Sequence, residues 1–307
     1  MSIRRYLRIQ CMKFLYAQYL SKIDLYKVEK NLLENIKSLN NFYVHFFCLM
    51  ITIQENSLNI KKQLNRKEEK FNYIDNFSCN SVIKILSNHQ YLVDQYNDRK
   101  IFFKNKKESI FFFLQELKKK SKKYKFFEVP CSSFEEEKKF LLKCYQFLFI
   151  SSETWIESLV QDSYILYEKE NIDFVHQMVK KTLQLINNSN NDFKLYNIYN
   201  KENKKFILNL YRNTIFHKEK FNHLINKISD NWNVERISII DLILLQMAIC
   251  EFLYFPHIPP KVTINEYIEI AKIFCMKKST MFVNGILDKA LKYLQEKNKI
   301  YKKILFK

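Results

Sequence analysis

The chain contains a single glycine, Gly285, among its 307 residues. Hairpin turns, dinucleotide-binding turns and phosphate loops all use glycine, because it adopts positive φ freely and lets another backbone approach closely. A chain with one glycine therefore lacks the means to build these folds, and we predict an all-α protein. Gly285 lies in "FVNGILDKA", residues 282–290, whose spacing is helical. Because a glycine inside a helix costs about 1 kcal/mol relative to alanine, the presence of glycine at this position needs an explanation.

The charge balance is strongly basic, with 51 basic and 32 acidic residues and a formal net charge of +19. Such an excess favours polyanionic partners, nucleic acid first and an anionic membrane second. The chain is also rich in lysine and asparagine throughout, a bias that can add charge without function. The arginines are more informative, because three of them, Arg4, Arg5 and Arg8, fall within the first eight residues.

The seven cysteines are widely scattered and form no CxxC pair. This distribution predicts a reduced, cytoplasmic protein with neither a disulfide framework nor a metal site. No signal peptide opens the chain, and the longest apolar run, residues 42–53, is too short to span a bilayer. We expect that run to be a buried helix and expect no membrane partner.

Changes in composition divide the chain into three segments. The middle segment is rich in lysine and asparagine, its clearest helices fall at 106–125 and 135–160, and Pro130 separates them. The polar stretch "NNSNND" at 187–192 marks its end. We predict an arginine-rich first helix and a second helix, a lineage-specific helical insert, and a helical core with a basic tail, at 1–53, 54–190 and 191–307.

The first helix, residues 3–20, combines an apolar stripe with a cluster of cations. The stripe comprises Ile3, Leu7, Cys11 and Phe14. The three arginines fall on an arc of about 100° beside it, next to Tyr16. Arginine at a helix N-terminus opposes the macrodipole, yet it is the side chain best suited to phosphate contacts and base stacking. With Tyr16 as a stacking platform, the cluster predicts binding of single-stranded RNA, although a merely solvated helix start is the alternative.

The C-terminal third has the clearest helix signals in the sequence. Residues 237–254 are apolar on every side, with only Asp241 and Glu251 charged, which predicts a central helix that ends at "FPHIPP". We expect Glu251 to be a structural carboxylate bonded to a neighbouring helix. Thr263 and Glu266 match the S/T-x-x-E capping box, and we expect them to open the next helix.

No catalytic constellation is present in the sequence. Phosphate-binding and nucleophile-elbow motifs need several glycines, and no HExxH motif or His/Cys cluster occurs. We therefore predict a protein that is not an enzyme and has no cofactor.

Two stretches resemble the NusB family of transcription antitermination factors. They are "RRYLRIQCMKFLYAQ" at 4–18 and "IPPKVTINEYIEIAKIFCMKKSTMFVNGILDKAL" at 258–291. The proline pair, VTINE, EIAK and FVNGILDK stand in the family's order and spacing. The resemblance continues upstream through "LLQMAICEFLY" at 244–254 to Trp232 and Arg236, and the middle segment resembles a long insert carried by one branch of the family.

The resemblance implies a NusB-like helical bundle with a large helical insertion. It also implies binding of boxA-like, single-stranded RNA in ribosomal RNA transcripts, together with the ribosomal protein NusE, within the RNA polymerase antitermination complex. It implies neither catalysis nor a cofactor. Adding Lys13 to the family's RNA-contacting positions, the expected RNA-binding set is Arg4, Arg5, Arg8, Lys13, Tyr16 and Phe282.

The resemblance also bears on two backbone positions. Gly285 matches the glycine of the family motif, and we infer that another helix passes so close that a Cβ would clash. Cys275 replaces the glycine that normally ends the "AKIF" helix, so it must avoid the left-handed conformation or accept strain.

Two other functions remain open. One is a helical scaffold that binds the ribosomal partner without sequence-specific RNA recognition. The other is an RNA cytosine methyltransferase, since such enzymes can carry a NusB-like domain, but a methyl-donor site needs a glycine-rich loop that this sequence lacks.

Overall fold

The computed structural model describes residues 1–21, 23–64, 72–104, 107–150, 169–188, 193, 195–229 and 236–300. These residues contain helices and no strand, which confirms the all-α fold class. A 3₁₀ turn, Lys125–Phe127, and a π-helical turn, Tyr145–Ile150, complete the regular structure. The α-helices are α1 Ile3–Ser21, α2 Leu25–Leu64, α3 Asn72–Ser78, α4 Ser81–Asn88, α5 Gln90–Lys104, α6 Lys107–Lys123, α7 Phe134–Cys144, α8 Lys169–Leu185, α9 Lys201–Phe216, α10 Lys218–Ile228, α11 Ile239–Tyr254, α12 Pro260–Phe274 and α13 Lys277–Glu296.

The helices form two compact units. The first unit comprises residues 1–34 and 199–307, and the second comprises residues 35–198. The expected boundary at 53/54 falls inside α2, because the helix continues without a break to Leu64. The expected joint at 187–192 lies largely outside the described residues.

The second unit has its own core. Residues 42–53 of α2 are all buried, as expected for the longest apolar run. The hydroxyls of Tyr43 and Thr182 lie 2.6 Å apart and link α2 to α8. The predicted helices at 106–125 and 135–160 are present as α6 and α7, with non-helical backbone around Pro130, but residues 151–168 lie outside the described part. Among the described helices, none combines the length and apolarity needed to cross a membrane.

The first unit is built around α11, as predicted for the segment that is apolar on every side. Eleven of its sixteen residues are buried, and α1, α9, α10, α12 and α13 all pack against it. The hydroxyl of Ser238 accepts a hydrogen bond from the backbone N–H of Asp241 and caps the helix. The helix ends at Tyr254, directly before the proline-containing loop.

The expected capping box at the start of α12 is wrong. The helix begins at Pro260, three residues earlier, because proline fits the first helical position with its φ already set and no N–H to satisfy. Thr263 is consequently inside the helix and buried, and Glu266 faces α1. At the other end, Cys275 is extended, with φ −117° and ψ 160°, so it avoids the left-handed region without strain.

The close-packing explanation for Gly285 is also wrong. Gly285 is exposed on α13, and a Cβ built on its backbone would meet no atom of the described residues within 4 Å. Its φ is not positive either. Neither packing nor backbone conformation within the described structure therefore accounts for this glycine.

Candidate nucleic-acid interface

The three N-terminal arginines approach three different helices. The guanidinium of Arg4 lies over the ring of Phe206 on α9, with Cζ 4.4 Å from the ring centroid. Arg5 reaches α12 and Arg8 reaches α11. The expected single cationic ledge is thus divided, because the main partner of each guanidinium lies on a different helix, although Arg8 also approaches Phe206 and Glu266.

Arg8 is buried in a polar cluster at the centre of the first unit. Its Nε and Nη2 donate to the two carboxylate oxygens of Glu251 at 2.7 and 2.9 Å. Burial lowers the pKa of Arg8, but the hydrogen bonds and charge of Glu251 outweigh it, so the net pKa shift is upward. Only 2% of the Arg8 side chain is exposed, which contradicts the expected phosphate contact at this residue.

Glu251 is the acceptor at the centre of that cluster and is fully buried. Besides Arg8, the hydroxyl of Tyr267 donates to it at 2.9 Å and the hydroxyl of Thr263 at 3.3 Å. This confirms its expected structural role. Arg8 was not expected to be its partner, although a carboxylate on a helix that is buried on every side indicates the need for a cationic partner.

Arg5 is held by two carboxylates of α12. Its Nε and Nη2 donate to Glu266 at 2.9 Å each, and Nη1 lies 3.7 Å from Glu269. The hydrogen bond to Glu266 raises the pKa of Arg5. About a quarter of the Arg5 side chain stays exposed, so it can still meet a ligand at the edge of this pair.

Arg4 borders a groove of about 750 Å³ between α1, α9 and the proline-containing loop. Lys205, Phe206, Tyr254 and His257 share its lining. Burial, followed by the charge of Arg8, lowers the pKa of Arg4. The groove therefore offers one half-buried cation beside aromatic surface.

The other expected contacts are Lys13, Tyr16 and Phe282, of which Lys13 lies beside the end of α12 and Phe282 near the start of α13. Lys13 and Tyr16 are half-exposed and three residues apart on α1, so they share a face of the helix. The Nζ of Lys13 lies 5.8 Å from the ring centroid of Phe274, the last residue of α12. Phe282 is half-exposed in the second turn of α13.

That turn is apolar and exposed. Ile273, Met276 and Met281 are 56%, 82% and 64% exposed, with the cations Lys277 and Lys278 between them. Exposed apolar side chains grouped in this way are typical of a binding surface. The surface formed by Lys13, Tyr16, the α12–α13 turn and Phe282 is called the turn surface below.

The first unit also carries most of the positive charge. It contains 26 of the 51 basic residues but only 13 of the 32 acidic ones. Within the described residues, no three histidine, cysteine, aspartate or glutamate side chains are grouped as a metal site requires. The chemistry available at this unit is therefore cationic and aromatic.

Comparison with known proteins finds a family match in the C-terminal part of the chain, which includes α9 to α12 of the first unit but not α1. The NusB family model matches residues 165–292, and no solved structure matches the chain. The transcription antitermination protein NusB of Chloroherpeton thalassium is 42% identical over 99 residues, which are 32% of this chain and 47% of that protein. The protein of the same name from Salinibacter ruber is 40% identical over 99 residues, which are 32% of this chain and 62% of that protein.

A third relative is covered more completely. The NusB protein of Natranaerobius thermophilus is 38% identical over 97 residues, which are 32% of this chain and 70% of that protein. The chain thus spans between about half and 70% of the length of these relatives. With an all-α first unit arranged around α11 and this level of identity, the chain belongs to the NusB family.

Proposed function

We propose that this protein is a transcription antitermination factor that binds boxA-like, single-stranded RNA together with the ribosomal protein NusE. The observation that carries the proposal is its family membership, since the relatives bear the name of a transcription antitermination protein. The concentration of positive charge in the first unit supports a polyanionic ligand. The proposed action is binding within an RNA polymerase antitermination complex, without catalysis.

The proposed RNA contacts centre on the turn surface. Lys13 supplies a cation for the phosphate backbone, and Tyr16 and Phe282 supply half-exposed rings on which bases can stack. Arg5 can contribute from the edge of its pair with Glu266. Arg4 reaches a different part of the unit, so an RNA that contacts it must continue along α1.

Arg8 has a positioning role in this proposal. By tying α1 to α11, its pair with Glu251 holds Lys13 and Tyr16 in place, one to two turns further along the same helix. Arg8 does not touch the RNA, because only 2% of its side chain is exposed.

RNA binding measured with and without NusE tests the proposal. We expect boxA-like RNA to bind more tightly than a scrambled RNA of equal composition, with log K falling by about 0.7 per neutralised phosphate as log salt rises. Lys13→Glu and Tyr16→Ala should each weaken binding. Lys27→Glu, an exposed lysine on α2, is the matched control.

Two results would count against the proposal in different ways. Equal affinity for boxA-like and scrambled RNA, with NusE binding retained, would favour the scaffold function. Loss of binding in Lys27→Glu as large as in Lys13→Glu would mean that charge alone, and not the turn surface, holds the RNA.

A further inference from the structure

One flank of α13 carries half-exposed aromatic side chains and an exposed basic side chain along most of its length. Phe282 and Tyr293 are eleven residues apart, which is about three turns plus 20°, so they lie on the same flank about 16 Å apart along the axis. Gly285 and Lys289 lie between them on that flank, and both are exposed. The buried face of α13, including Val283, lies about 100° away.

The far end of this flank is a cationic site. The Nζ of Lys227, at the end of α10, lies 5.2 Å from the ring centroid of Tyr293. A hydrogen bond from Lys227, and then the charges of Lys227, Lys297 and Lys299, lower the pKa of the half-exposed Tyr293. Within the part of the chain that the structure describes, Lys227, Lys297 and Lys299 form no ion pair with a carboxylate. All three lysines are exposed, so their charge is available to a ligand that reaches Tyr293.

Gly285 leaves the flank open between the two aromatic residues. Glycine in a helix costs about 1 kcal/mol relative to alanine, and neither close packing nor a positive φ within the described residues explains its presence here. A glycine on a helix surface exposes the backbone, which permits close approach of a ligand. An external partner that lies along the flank supplies the missing reason.

We propose that the RNA path continues along this flank, from Phe282 over Gly285 to a second stacking site formed by Tyr293 and Lys227. The inference rests on the proposed function, because it extends the RNA beyond the turn surface. An aromatic ring surrounded by cations suits the bases and phosphates of a single strand better than an apolar protein segment. At 3.4 Å per stacked nucleotide, 16 Å corresponds to about five nucleotides or fewer.

The test compares a short boxA-like RNA with the same RNA extended by six nucleotides at its 5′ or 3′ end. Base stacking alone predicts an affinity gain of about fivefold or more for one of the two extensions. Tyr293→Ala and Lys227→Glu should each remove this gain while the short RNA binds as before. Gly285→Ala should reduce the gain, because its methyl group occupies the path.

Tyr26→Ala and Lys27→Glu are the matched controls, since they make the same two changes at an exposed tyrosine and an exposed lysine elsewhere in the first unit. Both controls should keep the full gain. All five variants change exposed or half-exposed positions, and their thermal midpoints verify the fold.

The outcomes separate this inference from the proposed function. If the short RNA does not bind, the proposed function fails. If the short RNA binds but neither extension adds affinity, or the gain survives in Tyr293→Ala and Lys227→Glu, the second site is refuted. If those two variants instead weaken NusE binding alone, the flank is a protein interface and the inference is overturned.

Discussion

Replacing Glu251 by glutamine should destabilise the first unit far more than breaking a surface ion pair of the same geometry. Glu251 is fully buried and accepts hydrogen bonds from Arg8, Thr263 and Tyr267. Glutamine keeps the shape but removes the charge, which leaves the buried guanidinium of Arg8 without its main counter-ion. Removing one partner of a buried ion pair typically costs 3–5 kcal/mol.

The neighbourhood of Arg8 places the expected cost near the lower end of that range. Glu266 lies 3.5 Å from Nη1 of Arg8, so it still offsets part of the positive charge of Arg8 when Glu251 is neutralised. A loss of about 3 kcal/mol is a large fraction of the 5–15 kcal/mol by which domains are usually stable. For a unit of this size it corresponds to a fall in the thermal midpoint on the order of 10 °C.

The structure provides a matched control in Arg212 and Glu29. Arg212 donates to both oxygens of Glu29 at 2.7 and 2.6 Å, so the pair has the same two-bond geometry as Arg8 and Glu251. It lies at the surface, however: 58% of the Arg212 side chain and 16% of the Glu29 side chain are accessible, against 2% and 0% for Arg8 and Glu251. Because water screens such pairs, Glu29→Gln should cost about 1 kcal/mol or less.

Thermal unfolding and hydrogen exchange measured by mass spectrometry provide the assay. Peptides from α1 and α11 should lose protection in Glu251→Gln and keep it in Glu29→Gln. Adding Arg8→Met to a Glu251→Leu, Thr263→Val, Tyr267→Phe background should recover much of the loss, because the charges and hydroxyls that depended on Glu251 are then all removed together. Equal destabilisation by Glu251→Gln and Glu29→Gln would refute the reasoning.

Three further predictions concern single positions. Gly285→Ala should raise the free energy of unfolding by about 0.5–1 kcal/mol, since its Cβ meets open space in a helical backbone, and an unchanged or lower thermal midpoint would contradict this. Burial lowers the pKa of His176 to about 4, so the folded protein binds fewer protons than the unfolded chain between pH 4 and 6.5. Stability of the second unit should therefore fall by up to about 3 kcal/mol as the pH drops through that window, and urea unfolding of His176→Phe should lack this component. A thiol reagent should modify exposed Cys79 in the native protein, and mass spectrometry should detect modification of four buried cysteines only after unfolding: Cys11, Cys48, Cys144 and Cys250.

The features that sequence reasoning predicted correctly depend on local chemistry. The apolar run of α11 has no polar face, so it must be surrounded, and the prolines after Tyr254 cannot continue a helix. Reliance on short-range signals also explains why the predicted start of α12 was wrong. Thr263 and Glu266 have capping-box spacing, but Pro260 starts the helix first, and a spacing rule does not rank the two signals.

The remaining errors concern contacts between distant parts of the chain. The arc of arginines on α1 follows from helical periodicity, yet periodicity does not reveal that Arg8 meets a carboxylate 243 positions away. For Gly285, propensity gives the cost of the residue but not whether the chain or a partner makes glycine necessary. The Tyr293 and Lys227 site likewise depends on the packing of α10 against α13, which no motif encodes.

Arg8 and Glu251 lie far apart along the chain, so α1 must wait for its partner while the protein is synthesised. At 5–20 residues per second, Glu251 leaves the ribosome roughly 12–50 s after Arg8. Residues 35–198 are complete before α9 is synthesised, so the second unit can fold while α1 still awaits its partner. During that interval the nascent α1 exposes Leu7, Cys11 and its arginines to solvent, where chaperones and proteases can reach them.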